Sequence, residues 1–160
     1  MTQSPTPLET QRGYTVPSVR QFSIFLPNRV GKMMEMVKGF DEAMCRICGL
    51  AVHEASDHAV IRIIPNNAEA ARKILLEQEL PWMETPVLIV CLDKGHTLSE
   101  MCGHLLHAEL SIRFSYPLMA WAGSDGAIAL AVDDLTLAGQ VLRRKEFRLL
   151  AEEDLPKYGD

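Results

Sequence analysis

The stretch that decides the fold is Phe22-Ser23-Ile24-Phe25-Leu26-Pro27-Asn28-Arg29, in which an apolar strand runs into a polar turn. At an offset of about 65 residues it lies over Val87-Leu88-Ile89-Val90-Cys91-Leu92-Asp93-Lys94. Few residues are identical between the two stretches, and what recurs is the order of the patterns. The chain is therefore predicted to contain two copies of one supersecondary unit.

The repeat continues beyond the first strand of each copy. Residues 45–55 and 110–121 are apolar enough for strands, and residues 59–64 and 127–132 follow them after polar turns. This order predicts an α+β fold of two ferredoxin-like βαββαβ units in tandem, with antiparallel sheets and helices on one face. The helical stripes are Met33, Met36, Val37 and Phe40; Ala71, Ile74 and Leu75; Leu98, Met101, Cys102 and Leu105; and Leu135, Ala138, Val141 and Leu142.

The repeat also sets the predicted domain boundaries. We expect an N-terminal tail at residues 1–19, a first unit at 20–85, a second unit at 86–150 and a C-terminal tail at 151–160. A unit of this size buries only about 60% of its unfolded surface and is marginal alone. The two units should therefore pack side by side, with the strands at 45–55 and 110–121 as neighbours. The terminal carboxylates of Glu152, Glu153 and Asp154 are expected to be solvated.

Composition and charge exclude several kinds of partner. The formal net charge of −5 argues against a nucleic-acid binder and against an anionic membrane surface, because both interactions depend on Lys and Arg. No stretch approaches the roughly 20 apolar residues that span a bilayer. Residues 1–19 lack the apolar core of a signal peptide. The four cysteines lie in apolar patterns typical of buried free thiols, which predicts a cytoplasmic protein without disulfides.

The motifs that suggest chemistry are each incomplete. Cys45 and Cys48 form a C-x-x-C, but three steps along a strand place the two thiols on opposite faces, and no second pair completes a zinc set. His104 and His107 share a helix face without an obvious third metal ligand. Nothing in the sequence assembles a nucleophile with a base. We therefore expect no catalytic residue, no metal and no cofactor, and a protein that is not an enzyme.

The turns that follow the first strands resemble those of tandem ACT-domain proteins, an amino-acid-sensing regulatory family. The first strand of that family runs into an Asn/Asp-x-Pro-Gly-x-Leu turn. Here the first copy reads Asn28-Arg29-Val30-Gly31-Lys32-Met33, which keeps the Asn and the Gly but not the Pro. The second reads Asp93-Lys94-Gly95-His96-Thr97-Leu98, in which His96 stands where the Gly is expected. Ile112-Arg113-Phe114-Ser115-Tyr116 also resembles a second-strand pattern of tandem members, and the resemblance spans roughly residues 20–150.

The resemblance implies two ligand sites between the units, because ligands of the family contact the turn of one unit and the second strand of the other. A helix that starts at a tight glycine turn offers free N–H groups and a positive dipole end to a carboxylate. The second expected site combines Arg46 with Asp93 and His96. The His96 side chain would either bind an acidic ligand or occupy a site that no longer binds one. The first consists of Asn28, Arg29, Val30, Gly31, Lys32, Ser111 and Ile112.

The leading hypothesis is a non-catalytic regulatory protein that binds an amino acid or a similar metabolite between its units and changes its association with another protein. The alternative is a protein-interaction or assembly module with decayed ligand sites, which the lost Pro and the lost Gly keep open. An RNA-binding RRM-like module shares the topology but needs exposed aromatics on its central strands. Residues 60–62 and 127–129 contain none.

We also expect a homodimer. The sheet face away from the helices would be too apolar to leave in water, and its alanines would allow a second sheet to approach closely. The residues expected on that face are Phe25, Val60, Ile64, Val90, Ala127, Ala129 and Ala131.

Overall fold

The computed structural model describes residues 16–27, 29–93, 95–119 and 126–158. Four predictions therefore lie partly or wholly outside the described residues: the tail up to residue 15, Asn28 of the first turn, the last two residues of the strand predicted at 110–121, and the last two residues of the C-terminal tail. Within the described ranges, no helix is long and apolar enough to cross a membrane.

The elements follow the order that the repeat predicts, and the prediction of two ferredoxin-like units in an α+β fold is confirmed. The first unit begins with β1 (Val19–Pro27), α1 (Lys32–Glu42), β2 (Ile47–Ala55), β3 (His58–Pro65) and α2 (Ala68–Glu77). The chain continues with β4 (Trp82–Cys91), α3 (Leu98–His107), β5 (Ile112–Pro117), β6 (Ala127–Val132), α4 (Leu135–Arg144), β7 (Leu149–Leu150) and a short 3-10 helix (Glu152–Asp154).

Strand β4 belongs to both units. Its first half pairs antiparallel with β1, from Ile24↔Trp82 to Val19↔Val87. Its second half pairs with β6 and β7. The predicted boundary between residues 85 and 86 therefore falls inside a continuous strand, and the strand order is β2-β3-β1-β4 in one unit and β5-β6-β4-β7 in the other.

The sheet curls until its two end strands meet. Gly49 of β2 forms an antiparallel bridge with Leu118, and the Met119 amide donates to the Cys48 carbonyl at 3.0 Å. The predicted contact between the second strands of the two units is thereby confirmed. The sheet face away from the helices encloses an inner core of Val19, Cys48, Ile64, Val87, Ile89, Cys91, Tyr116, Leu118, Ala127, Ala129, Ala131, Leu150 and Leu155.

Two further cores lie between the sheet and the helices. Met36 and Phe40 of α1 pack with α2 over the first unit, as their spacing predicts. In the second unit Met101 and Leu105 are buried, but Leu98 and Cys102 are exposed. The predicted apolar stripe of α3 was too wide, because only Met101 and Leu105, which are four residues apart, are buried on this helix.

The strand pairing corrects the register of the repeat at the first strand. Phe22 pairs with Ile63 and Leu88 pairs with Leu130, and all four side chains lie under helices. Phe22 therefore corresponds to Leu88, an offset of 66 (88 − 22) rather than 65. A slip of one residue moves a side chain to the other face of a sheet. This is why Val90, expected on the face away from the helices, lies under α3 and α4.

The apolar inner face is covered within the chain. Ile64 and the three alanines of β6, all expected to meet a second copy, are buried in the inner core together with Leu118 and Leu155. Phe25 and Val60 are half-buried. The curl of the sheet therefore buries most of the surface through which the homodimer was expected to form.

The C-terminal segment, residues 151–158, packs back on the first unit. Leu155 is only 2% exposed and lies in the inner core. The Lys157 carbonyl accepts from Arg46 Nη1 at 2.8 Å. Glu152 was expected to be solvated, but its carboxylate accepts the Ala68 amide at 2.8 Å, where a negative charge stabilises the start of α2. The segment thus ties the second unit to the first.

The N-terminal end of the described chain makes the reciprocal contact. Val16 precedes β1 of the first unit but is buried in the core under α3 and α4. A Cβ on Gly139 would lie 2.5 Å from Val16 Cγ1, so the glycine of α4 makes room for this contact. Each unit is therefore packed against a chain segment that flanks the other.

Candidate ligand sites at the two turns

The first turn, in which residues 29–31 are exposed and Lys32 is half-buried, opens α1 without a side-chain cap. Gly31 is the N-cap residue, with φ 87°, a left-handed conformation that glycine adopts without a Cβ clash. Among the described residues the structure gives no acceptor for the amides of Met33 and Met34. The start of α1 therefore presents free N–H groups and its positive dipole end to solvent.

The starts of the other three helices are closed by side chains. At α3 the Glu100 carboxylate also returns to the Thr97 amide at 3.0 Å and completes a capping box. Within the described chain, α1 is thus the helix whose first turn is left for another group to satisfy. The three caps are Asn67 on the Ala70 amide, Thr97 on the Glu100 amide and Asp134 on the Leu137 amide.

The second turn is filled from within its own unit. Gly95 has φ 90°, so the left-handed glycine lies one residue before His96. The His96 ring packs on Phe147 with 4.5 Å between ring centroids, and its Nε2 lies 3.2 Å from the Lys145 carbonyl. The Asp93 carbonyl accepts the His96 amide at 2.9 Å. In this geometry the imidazole occupies the turn.

Arg46 and Ser111 occupy equivalent positions in the two units. The Arg46 amide donates to Asn66 Oδ1 at 3.0 Å, and the Ser111 amide donates to Asp133 Oδ1 at 3.1 Å. Each residue is thereby held beside the start of the second helix of its own unit. The alignment of these two positions in the repeat is therefore correct, although the first strand was misaligned.

No described hydrogen bond joins an expected site residue of one unit's turn to an expected site residue of the other unit's second strand. The Arg29 carbonyl accepts the Lys32 amide at 3.3 Å, and Lys32 Nζ pairs with Glu35 at 3.1 Å. Ile112 pairs with Val132 inside the second unit. Residues 29–32 lie together because they are continuous in the chain, and no described hydrogen bond joins them to Ser111 or Ile112.

A cavity of about 270 Å³ lies beside the first turn, between α1 and the segment after α2. Gln78 Nε2 lies 3.4 Å from the carbonyls of Glu35 and Met36 and forms part of its wall. No sequence motif marks Gln78 and Leu80, because only the packing of α1 against α2 brings them to the turn. The cavity is lined by Lys32, Glu35, Met36, Gln78 and Leu80.

The C-x-x-C cysteines are buried on opposite sides of the sheet, as their spacing predicts. Cys45 lies in the core under α1 and α2, and Cys48 lies in the inner core. Burial raises the pKa of both thiols to about 11. Almost no thiolate is then present at neutral pH, and thiolate is the reactive form. In the described part of the chain, no group of three or more His, Cys, Asp or Glu could hold a metal ion.

We expect one fast-reacting thiol in the native protein. Cys102 is exposed, which corrects the expectation that all four cysteines are buried, whereas burial raises the pKa of the Cys45, Cys48 and Cys91 thiols. At pH 8 an excess of thiol reagent should label Cys102 rapidly and the other three only on unfolding. Cys102→Ser should remove the fast phase. Rapid labelling of two or more thiols in the native protein would contradict the packing.

The structure thus combines two βαββαβ units in one curled sheet with a helix start, after the first strand, that has no side-chain cap. A family model described as an ACT domain pair matches residues 17–158. The chain belongs to the ACT domain pair family, and the resemblance noted in the sequence is confirmed. ACT domains typically bind small-molecule ligands in regulatory roles, are generally non-catalytic and often form oligomers.

Solved structures share the fold. Protein BT0572 from Bacteroides thetaiotaomicron is 23% identical, with a TM-score of 0.78 over 87% of this chain and 96% of that chain. The ligand-free regulatory subunit of aspartate kinase from Thermus thermophilus is 10% identical, with a TM-score of 0.51 over 81% and 93%. A structure of aspartokinase alpha and beta subunits is 13% identical, with a TM-score of 0.52 over 80% and 91%. The comparison with curated proteins yields no match.

Proposed function

We propose that this protein is a non-catalytic regulatory sensor that binds an amino acid or a related small metabolite at the first turn. Its membership of the ACT domain pair family supports a ligand-binding regulatory role. The observation that carries the choice of site is the uncapped start of α1. A ligand carboxylate that accepts from the Met33 and Met34 amides supplies the cap that Gly31 lacks.

The proposed ligand joins the two units. Residues 29–32 and Asn28 contribute the turn, and Ser111 with Ile112 closes the site from the second unit. Because the described hydrogen bonds of these two halves stay within their own units, the ligand itself provides the polar link. A ligand that binds one arrangement of the units better than another shifts the population of that arrangement. The output is then a changed association with a regulated protein.

We propose that the second site, formed by Arg46, Asp93 and His96, is weaker than the first. The capping box already satisfies the start of α3, and the His96 ring occupies the turn. The Arg46 guanidinium donates to the Lys157 carbonyl. A ligand in this site has to displace these contacts, which lowers its net affinity.

The proposal is tested by a thermal-shift screen of the twenty amino acids followed by calorimetry on the best ligand. Binding to the native state alone raises stability by about 2.7 kcal/mol at one hundred times Kd, so a true ligand is visible. Gly31→Asp should abolish binding, because it puts a negative charge where the carboxylate sits. A Cβ at Gly31 meets no atom within 4 Å, so the variant should fold despite the strained φ of 87°.

Gly95→Asp is the matched control, since Gly95 also has a positive φ and open space around its Cβ. It should leave the first site intact. Equal binding by the wild type and by Gly31→Asp would place the site elsewhere. If no small metabolite binds, the protein-interaction or assembly module becomes the better description.

We further propose that the protein is a cytoplasmic homodimer that associates through the outer faces of its helices. The described cysteines are all free, as is usual in a reducing compartment. Leu76 of α2 and Leu106 of α3 are 69% and 73% exposed and provide apolar contact surface. Light scattering at micromolar concentration should give twice the mass of the chain. A clean monomer would contradict the dimer.

A further inference from the structure

The sheet face away from the helices differs in chemistry between the two units. In the second unit this face is apolar and lies in the inner core. In the first unit it carries polar side chains at the corresponding positions of the first and third strands. By the corrected register, Gln21, Ser23 and Arg62 of the first unit stand where the second unit has Val87, Ile89 and Ala129.

Arg62 is a half-buried cation with no anionic partner among the residues that the structure describes. Its Nη1 lies 3.4 Å from His53 Nδ1, and its guanidinium carbon lies 4.3 Å from the centroid of the Phe114 ring. Among the described residues it forms no ion pair, and its Nε is a buried donor without an acceptor. A buried donor such as this Nε is costly when it has no acceptor. The arrangement is incomplete without a further acceptor.

The polar side chains near Arg62 on β1 are hydrogen-bonded to one another rather than to Arg62. Ser23 is its direct cross-strand neighbour on β1, and the Ser23 hydroxyl accepts Gln21 Nε2 at 3.2 Å. Gln21 is fully buried, and its Oε1 accepts the Tyr116 hydroxyl at 2.7 Å. A hydroxyl that accepts one hydrogen bond keeps its own proton to donate. Ser23 and Arg62 therefore present donors side by side, and neither the Ser23 hydroxyl proton nor Arg62 Nε has an acceptor among the described residues.

This pair of donors lies beyond the bridge that closes the curled sheet, where the described residues of β2 and β5 form no further pairs. Strands β2 and β5 meet at the Gly49–Leu118 bridge, whereas Arg62 is placed farther along β3, opposite Ala51, with Phe114 of β5 across from it. On the other side of Ser23, Met83 of β4 is 61% exposed. We call this end of the sheet its mouth. It combines the polar donors of Ser23 and Arg62 with the apolar side chains of Phe114 and Met83, a combination that is usual in small-molecule sites.

We propose that this mouth, defined by Ser23, His53, Arg62 and Phe114, is a second ligand site that takes a small organic carboxylate. The planar guanidinium matches the fork of a carboxylate, and the Ser23 hydroxyl donates to the same group. The apolar part of the ligand lies against the Phe114 ring. This site is separate from the first turn and does not depend on ligand binding there.

The test uses the full chain with acetate, benzoate and inorganic phosphate as probes, and it follows the arginine Nε–H signals by NMR. Benzoate should shift the Arg62 signal in a saturable manner, and acetate should do so more weakly because it lacks an apolar ring. Arg62→Met keeps the apolar stem and should weaken benzoate binding by about ten- to a hundredfold, the effect of losing a hydrogen bond to a charged group. Arg113→Met, at an exposed arginine of β5, should leave it unchanged.

Two further readouts distinguish benzoate binding at this mouth from binding at the first turn and from a purely structural role of Arg62. Gly31→Asp should retain benzoate binding, so a failure of the first-turn site leaves this result standing. The urea midpoint of Arg62→Met without probe should equal or exceed that of the wild type, because an unpaired cation has been removed. Equal benzoate affinity in the wild type and Arg62→Met would overturn the proposal, as would a lowered midpoint without any benzoate effect. A response to phosphate alone would overturn the carboxylate assignment.

Discussion

Removal of residues 152–160 is expected to lower the free energy of unfolding by about 5 kcal/mol. The truncation deletes Leu155 from the inner core, and filling such a position contributes about 2–5 kcal/mol. It also removes two acceptors, the Lys157 carbonyl of the Arg46 guanidinium and the Pro156 carbonyl of Asn66 Nδ2. Urea unfolding followed by circular dichroism measures the loss.

Two single substitutions separate the contributions within the C-terminal segment. Leu155→Ala should account for about 2–5 kcal/mol of the effect through the cavity that it leaves. Glu153→Ala, at an exposed neighbour, should change stability by no more than about 0.5 kcal/mol. An unchanged urea midpoint after truncation would show that the segment does not contribute to the core in solution.

Ala129→Leu is expected to destabilise the protein by about 3 kcal/mol and to open the curl of the sheet. Ala129 is fully buried in the inner core, where the small side chains of β6 allow the two sides of the sheet to approach. Three additional carbons at this position force strand β5 away from β2. Because Cys48 lies beside the bridge between those strands, its thiol should then react with a labelling reagent in the native protein.

The matched control is Ala43→Leu, at an exposed position after α1. It adds the same side-chain volume outside the core and should alter neither the urea midpoint nor the labelling of Cys48. A stable Ala129→Leu variant with Cys48 still protected would mean that the inner core has room that its burial does not indicate.

Much of the fold could be predicted because its signals are local. Met36 and Phe40 are four residues apart, so they fall on one helix face whatever surrounds the helix. Gly31 was expected in a tight turn that opens a helix, and it has φ 87° at the N-cap of α1. These features depend on residues within one or two turns of each other, and the amino-acid types report them directly.

The sequence did not show which residues of the second copy's first strand face the helices. Residues 87–91 are apolar without alternation, because both faces of this strand are covered: one by helices and one by the inner core. No periodicity then shows which face Val90 occupies, and a comparison shifted by one residue placed it on the wrong side. Only the pairing of Leu88 with Leu130 resolves the phase.

The candidate sites were predictable only in part, for a related reason. The turn of the first site is continuous in the chain, and its residues lie together as one loop. Arg62, by contrast, is a single charged residue in an apolar strand, and the sequence does not show whether an acid faces it. Its lack of an ion pair becomes apparent only when β1, β3 and β5 bring Ser23 and Phe114 beside it.

The sequence by itself determined the duplicated βαββαβ order, the buried helix faces and the glycine turn, because each depends on residues that are neighbours in the chain. The tertiary structure alone decided that the curled sheet covers its own apolar face, that the C-terminal segment returns to the first unit, and that Arg62 forms no ion pair with a described residue. These depend on pairs such as Gly49 with Leu118 and Arg46 with Lys157. Contacts between residues so far apart arise from the packing of whole elements, which leaves no local pattern to read.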